Sequence, residues 1–157
     1  MRLAYADPPY VGQARKHYKS EEVDHVALIK QLQGYDGWAL SASSPSLHYL
    51  LPLCPANVRV AAWVKPFCSF KPHVNPAYAW EPVIFVPARD GRRDIPTIRD
   101  FLAVNITLRK GLAGAKPLTF CHWIFNLLGA DAKDDTLDDL FPGTGIVTIA
   151  WNQWQMI

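Results

Sequence analysis

The stretch RLAYADPPY, residues 2–10, decides the fold because it joins a short apolar run to an acid, two prolines and a tyrosine. Residues 2–7 predict a β-strand that leads into a turn, since proline donates no backbone N–H and interrupts a strand. Asp7 is expected at the carboxyl end of this strand, where its carboxylate and the carbonyl of Pro8 can accept hydrogen bonds from an NH₂ group. With the ring of Tyr10 beside them, these groups suit the exocyclic amine of a stacked nucleobase. The alternative interpretation is a strand that ends in a Pro-Pro turn with an exposed acid.

A second candidate ligand-binding turn lies in DLFPGTG, residues 139–145. It follows a strand predicted for TLDDLF, residues 136–141. Gly143 and Gly145 permit positive φ and let the backbone approach a ligand closely. Ligands bind open α/β sheets just outside the carboxyl ends of the strands, so this turn and Asp7 are expected to face one crevice. By itself the glycine pattern is at least as typical of a plain tight turn.

Strands and helices alternate through most of the chain, which predicts one α/β domain over residues 1–157 with helices on both faces of the sheet. Ser20 is expected to cap a helix over about 21–33. A helix from Pro117 to Gly129 has apolar residues at the spacing of one buried face. The remaining predicted elements are strands at 37–43, 58–64 and 82–88, the last two covered on both faces, and a short helix around 96–104.

Composition limits the classes of partner. The chain has 157 residues, half of them hydrophobic, so it can bury a proper core. Its net charge of +2 gives no global positive field, and any nucleic-acid binding has to come from local patches. No apolar run approaches the roughly 20 residues of a membrane span, and the N-terminus lacks the apolar segment of a signal peptide. We therefore expect a cytoplasmic protein with no membrane partner.

The cysteines and histidines point to no metal site. Cys54, Cys68 and Cys121 are widely spaced, form no CxxC pair and have no histidine at ligand spacing. They are interpreted as reduced thiols of a cytosolic protein, mostly buried. The five histidines are scattered along the chain.

The order of the motifs resembles one enzyme family. ADPPY, then Lys116-Pro117, then LDDLFPGTG is similar to the S-adenosylmethionine-dependent amino-methyltransferases of nucleic acids. The match is to their permuted class, in which DPPY precedes the donor-binding FxGxG, and to its adenine-N6 type. WEPVIFVPA at 80–88 also looks like a late strand of that family, which often begins with Trp-Glu. The resemblance implies a single Rossmann-like methyltransferase domain, permuted and truncated, with S-adenosylmethionine as cofactor.

The resemblance also implies roles for individual residues. Asp7 and the Pro8 carbonyl match the groups that hold the target amine, Pro9 shapes the turn, and Tyr10 stacks on the extruded base. Lys116 matches a lysine that pairs with the methionine carboxylate of the methyl donor. The rest of the implied donor site consists of Asp139, Phe141, Gly143 and Gly145. An aryl amine is a poor nucleophile, so two acceptors on its N–H groups help to expose the nitrogen lone pair.

The end of the chain departs from the family pattern. Most permuted members continue past FxGxG with a further strand, whose acid binds the donor ribose. Here Asn152 and Gln153 follow the glycine turn, similar to an Asn-Gln pair of the mRNA N6-adenosine methyltransferase family that contacts the ribose. Trp151 and Trp154 are expected to close the sheet edge or to form a homodimer contact. The alternative is a plain helix over 146–154 with Asn152 and Gln153 on its exposed face.

Two basic segments are the candidates for nucleic-acid binding. They are the loop 11–20 and the insert 87–115, which is the candidate recognition region of a chain without a large recognition domain. Solvated surface charge is the alternative interpretation, but proximity to the proposed site favours phosphate contacts. The candidate residues are Arg15, Lys16, Lys19, Arg92 and Arg93.

The favoured function is therefore methyl transfer from S-adenosylmethionine to the N6 amine of adenine in DNA. Small size and few recognition elements are typical of phage or prophage enzymes, which places the protein in the cytoplasm of a bacterium or an infected host cell. RNA as substrate is the first alternative. The second is a non-catalytic partner subunit that keeps the fold and binds nucleic acid, although a subunit without catalysis is free to lose DPPY and GTG.

Overall fold

The computed structural model of the protein describes residues 1–12, 22–68, 70–91, 96–109 and 112–156. Its described part contains a six-stranded sheet, a two-stranded sheet and helices. The elements are β1 (Arg2–Ala6), α1 (His25–Leu32), β2 (Gly37–Ser41), α2 (Leu47–Leu50), β3 (Arg59–Val64), β4 (Trp80–Val86), β5 (Phe101–Ala103), β6 (Thr107–Arg109), β7 (Leu112–Ala115), α3 (Leu118–Leu128), β8 (Thr136–Asp139) and α4 (Ile146–Trp154). Short 3₁₀ turns, Ser44–Ser46 and Leu51–Leu53, flank α2.

The large sheet has the strand order β5-β3-β4-β2-β1-β8. Strand β1 pairs in parallel with both β2 and β8. Strand β4 is antiparallel to β2 and to β3, and β5 is parallel to β3. As a result β8, β1, β2, β3 and β5 all end at one edge of the sheet, and β4 begins there. This edge, called the carboxyl edge below, is where open α/β sheets bind their ligands.

The sheet is covered on both faces, as the alternation of strands and helices predicted. The two-residue period of β1 sends Leu3 and Tyr5 to one face and Ala4 and Ala6 to the other. The first face packs against α3 and α4, and the second packs against α1 and α2. The α/β class with helices on both faces is therefore confirmed.

Helix α3 also agrees with its sequence pattern. Pro117 is its N-cap residue, and Gly129 ends it in the left-handed conformation at φ 65°. Glycine suits this position because it has no Cβ to crowd the preceding turn. The predicted apolar face is buried in full and consists of Phe120, Trp123, Ile124, Leu127 and Leu128.

Other boundaries differ from the sequence-based expectation. The first helix begins at His25, and its cap is Asp24, whose side chain accepts a hydrogen bond from the Ala27 N–H at 3.0 Å. The predicted cap, Ser20, lies outside the described residues. The short helix expected around 96–104 is instead the strand β5, because this segment pairs in parallel with β3. Non-local strand pairing outweighs local helix preference here.

The expectation of full burial holds for β4 and fails for part of β3. Strand β4 has four consecutive buried residues at its centre. Arg59 and Val60 of β3 are exposed, whereas Ala61 and Trp63 are buried. The short strand β5 pairs only with residues from Ala62 onward, so no described strand pairs with the beginning of β3 on that side.

Candidate active site

The two turns singled out by the sequence lie side by side. Tyr5 of β1 pairs with Asp139 of β8, and the Leu140 N–H donates to the Tyr5 carbonyl at 2.9 Å. Asp7 is therefore two residues past a position that faces the end of β8. Because the two strands are parallel, both acids reach the same part of the carboxyl edge. The expectation that DPPY and the glycine turn share one crevice agrees with this geometry.

The Asp7 carboxylate is paired with Lys116. The Lys116 ammonium lies 3.0 Å from one carboxylate oxygen of Asp7 and 3.1 Å from the other. The lysine side chain is 9% exposed and the aspartate 29%, so water screens this pair only in part. The ammonium also lies 5.2 Å from the ring of Trp63 and 5.7 Å from that of Phe120, within cation–π range. The charge of Asp7 is thus compensated by the protein itself.

Glu81 connects this pair to the DPPY turn. Its carboxylate accepts a hydrogen bond from the Tyr10 hydroxyl at 2.6 Å and forms a short ion pair with Lys65. Lys116 lies 3.7 Å from the same carboxylate. Burial alone would raise the pKa of Glu81, but the charges of Lys116 and Lys65 and the two hydrogen bonds hold that pKa below its ordinary value. Glu81 therefore stays ionised and ties two lysines and Tyr10 together.

Tyr10 is fixed at its hydroxyl end and partly buried. Burial, followed by the charges of Glu81 and Asp7, raises the pKa of Tyr10 well above its ordinary value. The hydroxyl thus keeps its proton and acts as the donor to Glu81. Pro8 is buried, which holds the turn against the protein. Beneath the turn, the buried hydroxyl of Tyr5 lies 2.7 Å from Ser41 Oγ.

Asp139 contrasts with Asp7. Both of its carboxylate oxygens are buried, and no described residue donates a hydrogen bond of ordinary geometry to either of them. Burial is the main cause of a raised pKa for Asp139; the backbone N–H of Phe141 opposes part of this rise, and the charge of Asp7 adds to it. A buried carboxylate without a partner costs free energy, and such groups in native proteins usually meet a ligand, an ion or water. The geometry suits a cationic group at the end of β8.

The glycine turn leads from β8 into α4. Gly143 and Gly145 have φ values of 46° and 73°, which favour glycine over other residues. A Cβ atom at Gly145 would meet nothing within 4 Å, and one at Gly143 would meet only the Phe141 carbonyl oxygen at 3.8 Å. Backbone conformation rather than crowding therefore requires glycine, and the space beside the turn is open. Phe141 itself packs against the apolar cluster on the α1 face of the sheet.

Helix α4 carries the two candidate ribose ligands on its surface. Asn152 and Gln153 are both exposed. The tryptophans on either side pack onto Phe125 of α3, with ring centroids 5.1 Å away for Trp151 and 5.7 Å for Trp154. The tryptophans thus belong to the contact between α3 and α4. Residues 146–154 form the plain helix that the sequence analysis gave as the alternative.

Some predicted residues lie outside the described part of the chain, namely Arg15, Lys16, Lys19, Arg92 and Arg93. Within the described part, no group of three or more His, Cys, Asp or Glu residues is placed to hold a metal ion. The three cysteines have free thiols, and burial raises the pKa of Cys121 to about 12. No helix among the described residues combines the length and apolar character that crossing a bilayer requires.

Sequence reasoning assigned no role to Glu81 or Lys65. One signal for Glu81 was present, because the residue precedes the apolar run of β4 just as Asp7 follows that of β1. An acid beside a buried strand needs a partner, and here the partners are Lys65, Lys116 and Tyr10. The sequence offers no local signal for Lys65, which reaches Glu81 only because β3 and β4 are paired.

The fold is similar to solved structures of M1.HpyAVI. A crystal structure of the M1.HpyAVI–SAM complex matches with a TM-score of 0.66 and 16% identity, over 98% of this chain and 78% of that chain. A second M1.HpyAVI crystal structure matches with a TM-score of 0.62 and 13% identity, over 99% and 76% of the two chains. Neither a family model nor a curated protein matches the sequence. These similarities show that the chain has a Rossmann-like methyltransferase fold.

Proposed function

We propose that this protein transfers a methyl group from S-adenosylmethionine to the N6 amine of adenine in DNA. The observation that carries the proposal is the adjacent placement of Asp7 and Asp139 at the ends of two parallel strands. One acid suits a target amine and the other suits a cationic group of the donor. The similarity to M1.HpyAVI, one of whose structures is a SAM complex, supports this assignment.

The donor side of the site fits the cofactor. Within the described part of the chain no side chain pairs with the buried carboxylate of Asp139, and the ammonium group of the donor's methionine moiety would supply a cationic partner. The open space beside Gly143 and Gly145 suits close approach of a ligand to the backbone. Lys116 is proposed to attract the donor's methionine carboxylate. Once bound, the cofactor supplies a methyl group on a sulfonium centre.

The target side depends on Asp7, the Pro8 carbonyl and Tyr10. A carboxylate has about four lone-pair sites. Asp7 can therefore keep its contact with Lys116 and still accept a hydrogen bond from an amine. Glu81 holds the Tyr10 hydroxyl, so the ring is presented in a defined orientation for stacking on a base. Positioning and electrostatic stabilisation of this kind are the main contributions expected to methyl transfer onto an aryl amine, which is a poor nucleophile.

The finer assignments follow from the motif resemblance. DPPY before FxGxG favours the permuted class and adenine over cytosine. Compact size favours a phage or prophage enzyme that acts in the cytoplasm of a bacterium or an infected host, and a homodimer remains part of the proposal. Contacts with phosphate are proposed for the basic residues of loop 11–20 and for Arg92 and Arg93.

The test is incubation with donor labelled on its methyl group and with separate pools of DNA and RNA, followed by nucleoside analysis. Labelled N6-methyladenine from DNA is the expected product. Label in N6-methyladenosine from RNA alone would move the substrate to RNA. Donor binding without any labelled nucleoside would overturn the enzymatic proposal and favour a non-catalytic subunit.

A further inference from the structure

The segment between β3 and β4 is not explained by the proposed chemistry. Residues 65–80 are called the aromatic loop below; of its described residues, which exclude Ser69, none before Trp80 lies in a helix or strand. The Lys65 N–H donates to the Ala79 carbonyl at 2.8 Å and closes the base of the loop. Irregular loops of this length are uncommon in compact domains unless they have a function.

The loop presents aromatic side chains to solvent. Phe70 is 87% exposed, Phe67 79% and Tyr78 60%, more than any other aromatic side chain of the described residues. Single exposed apolar residues are normal, but several on one segment indicate a binding surface. None of these three rings is needed for the core.

The charge of the loop indicates what kind of partner it binds. Residues 65–80 include Lys65 and Lys71 but no aspartate or glutamate. The nearest acid, Glu81, is already paired with Lys65. Aromatic faces combined with positive charge and no negative charge are complementary to unpaired bases on an anionic backbone.

The position of the loop connects it to the candidate active site. The loop leaves β3 and returns to β4 at the carboxyl edge of the sheet. At its base Lys65 contacts Glu81, which in turn accepts the hydrogen bond from Tyr10 in the DPPY turn. A strand whose target base stacks on Tyr10 would therefore pass close to the base of the aromatic loop.

A cavity of about 440 Å³ lies between the far part of the loop and the segment after β2. This volume falls within the range of about 300–1,000 Å³ that is usual for small-molecule sites. Two aromatic rings form part of its wall. Its lining residues include Ser44, His73, Asn75, Tyr78 and Trp80.

We propose that the aromatic loop binds unpaired nucleotides that flank the target base, with Phe67, Phe70 and Tyr78 as stacking faces. The inference rests on the proposed function and specifies its substrate class as single-stranded nucleic acid. Bases within an intact duplex are covered on both sides and offer no face to these rings.

The test compares variants that separate stacking from general hydrophobicity. Affinity for a labelled single-stranded, adenine-containing oligonucleotide is measured by fluorescence anisotropy, beside the same sequence as a duplex. The double variant Phe67→Leu/Phe70→Leu keeps apolar bulk but loses both rings, and we expect about tenfold or more weaker single-strand binding. Phe67→Trp/Phe70→Trp keeps aromatic faces and is expected to bind like the wild type. Met156→Ala, an 84% exposed apolar residue after α4, is the matched control and should change nothing.

Three results would overturn the inference. The first is that the leucine variant binds the single strand as tightly as the wild type does. The second is that the protein binds the duplex as tightly as the single strand. The third is that both double variants lose self-association while their affinity for the oligonucleotide is unchanged. The last result would identify the loop as a protein interface. Wild-type methylation by the leucine variant together with unchanged binding would reject this inference alone. Ring-dependent single-strand binding without methyl transfer by the wild type would reject the proposed function alone.

Discussion

Asp7 and Asp139 follow two neighbouring parallel strands and lie at the same edge of the sheet, but their carboxylates are held differently. Lys116 contacts both oxygens of Asp7, whereas no cationic side chain among the described residues pairs with Asp139. A carboxylate whose charge is compensated by the protein is an acceptor in a fixed place before any ligand arrives. A buried carboxylate without compensation destabilises the protein until a cation binds. The target side is therefore preorganised before substrate binds, whereas the donor side is stabilised most when its ligand binds.

The comparison predicts its largest effect for Asp7. Asp7→Ala removes one of two acceptors for the target amine, and we expect methyl transfer to fall by on the order of 10²–10³-fold, as for loss of one preorganised catalytic group. Donor affinity should not fall, because the donor's ammonium group is assigned to Asp139, and Lys116 loses a partner that competes with the donor's carboxylate. The measurement is single-turnover transfer combined with calorimetry of donor binding.

Asp134→Ala is the control for that experiment. Asp134 is an exposed acid next to the opposite edge of the sheet, where its carbonyl oxygen lies 3.4 Å from the N-terminal amine. Its replacement should leave both activity and donor binding unchanged. Normal turnover by Asp7→Ala would contradict the assignment of the DPPY turn.

Lys116→Met makes Asp7 resemble Asp139, since it removes the cation between Asp7 and Glu81. We expect a loss of about 1–3 kcal/mol of unfolding free energy at pH 7, because two partly buried carboxylates lose a partner. The variant should also become sensitive to acid at a higher pH. Glu81 has a lowered pKa in the folded protein, so its stabilising contribution is present at neutral pH and disappears as the pH falls through that pKa. Without Lys116 the pKa of Glu81 rises towards its unfolded value, so Glu81 contributes less stability at neutral pH, and the less stable variant unfolds at a smaller fall in pH.

Urea unfolding at a series of pH values checks this prediction. Lys133→Met, which removes an exposed lysine, is the control and should keep the wild-type profile. An acid-unfolding midpoint identical in Lys116→Met and the wild type would show that Lys116 does not set the charge state of Glu81.

Asp139→Asn tests the other half of the comparison and predicts opposite changes in stability and binding. The pKa of Asp139 is raised in the folded protein, so ionisation above that pKa costs stability. Removing the charge should therefore stabilise the ligand-free protein at pH 7, by about 1 kcal/mol. The same change should weaken donor binding about tenfold, equivalent to about 1.4 kcal/mol.

Asp138→Asn is the matched control on the same strand. The Asp138 carboxylate is exposed to water and bonded to Tyr35 and Arg2, so its loss should not raise stability or weaken donor binding. If Asp139→Asn is destabilised at pH 7 and binds donor normally, the carboxylate has a structural role instead of the one proposed.

The sequence predicts the turns of the candidate site but not the ion pair that joins them to α3. The strand-plus-turn patterns of DPPY and GTG are local, and so is the apolar face of α3, which explains why these elements were predicted correctly. The pair of Lys116 and Asp7 joins residues that are 109 positions apart. Its formation depends on α3 starting beside β1, which no local pattern encodes. The error at 96–104 has the same cause, because β5 exists only through its pairing with β3.

The smallest change is expected on the outer face of α4, where the sequence resemblance and the geometry can be separated. Asn152 and Gln153 are exposed, while the opposite side of the helix packs on α3 through Trp151 and Trp154. Replacing both residues with alanine should alter the unfolding free energy by no more than about 0.5 kcal/mol, as for other surface positions. A change in donor affinity in this variant therefore cannot be attributed to unfolding.

The resemblance to Asn-Gln ribose ligands predicts about tenfold weaker donor binding in the double variant. If the two side chains only face water, donor affinity should not change. Calorimetric titration of the double variant beside Ile149→Ala, an exposed position on the same helix, decides between them. Equal affinity in the wild type and both variants would remove Asn152 and Gln153 from the donor site and leave Asp139 and Lys116 as its proposed polar contacts.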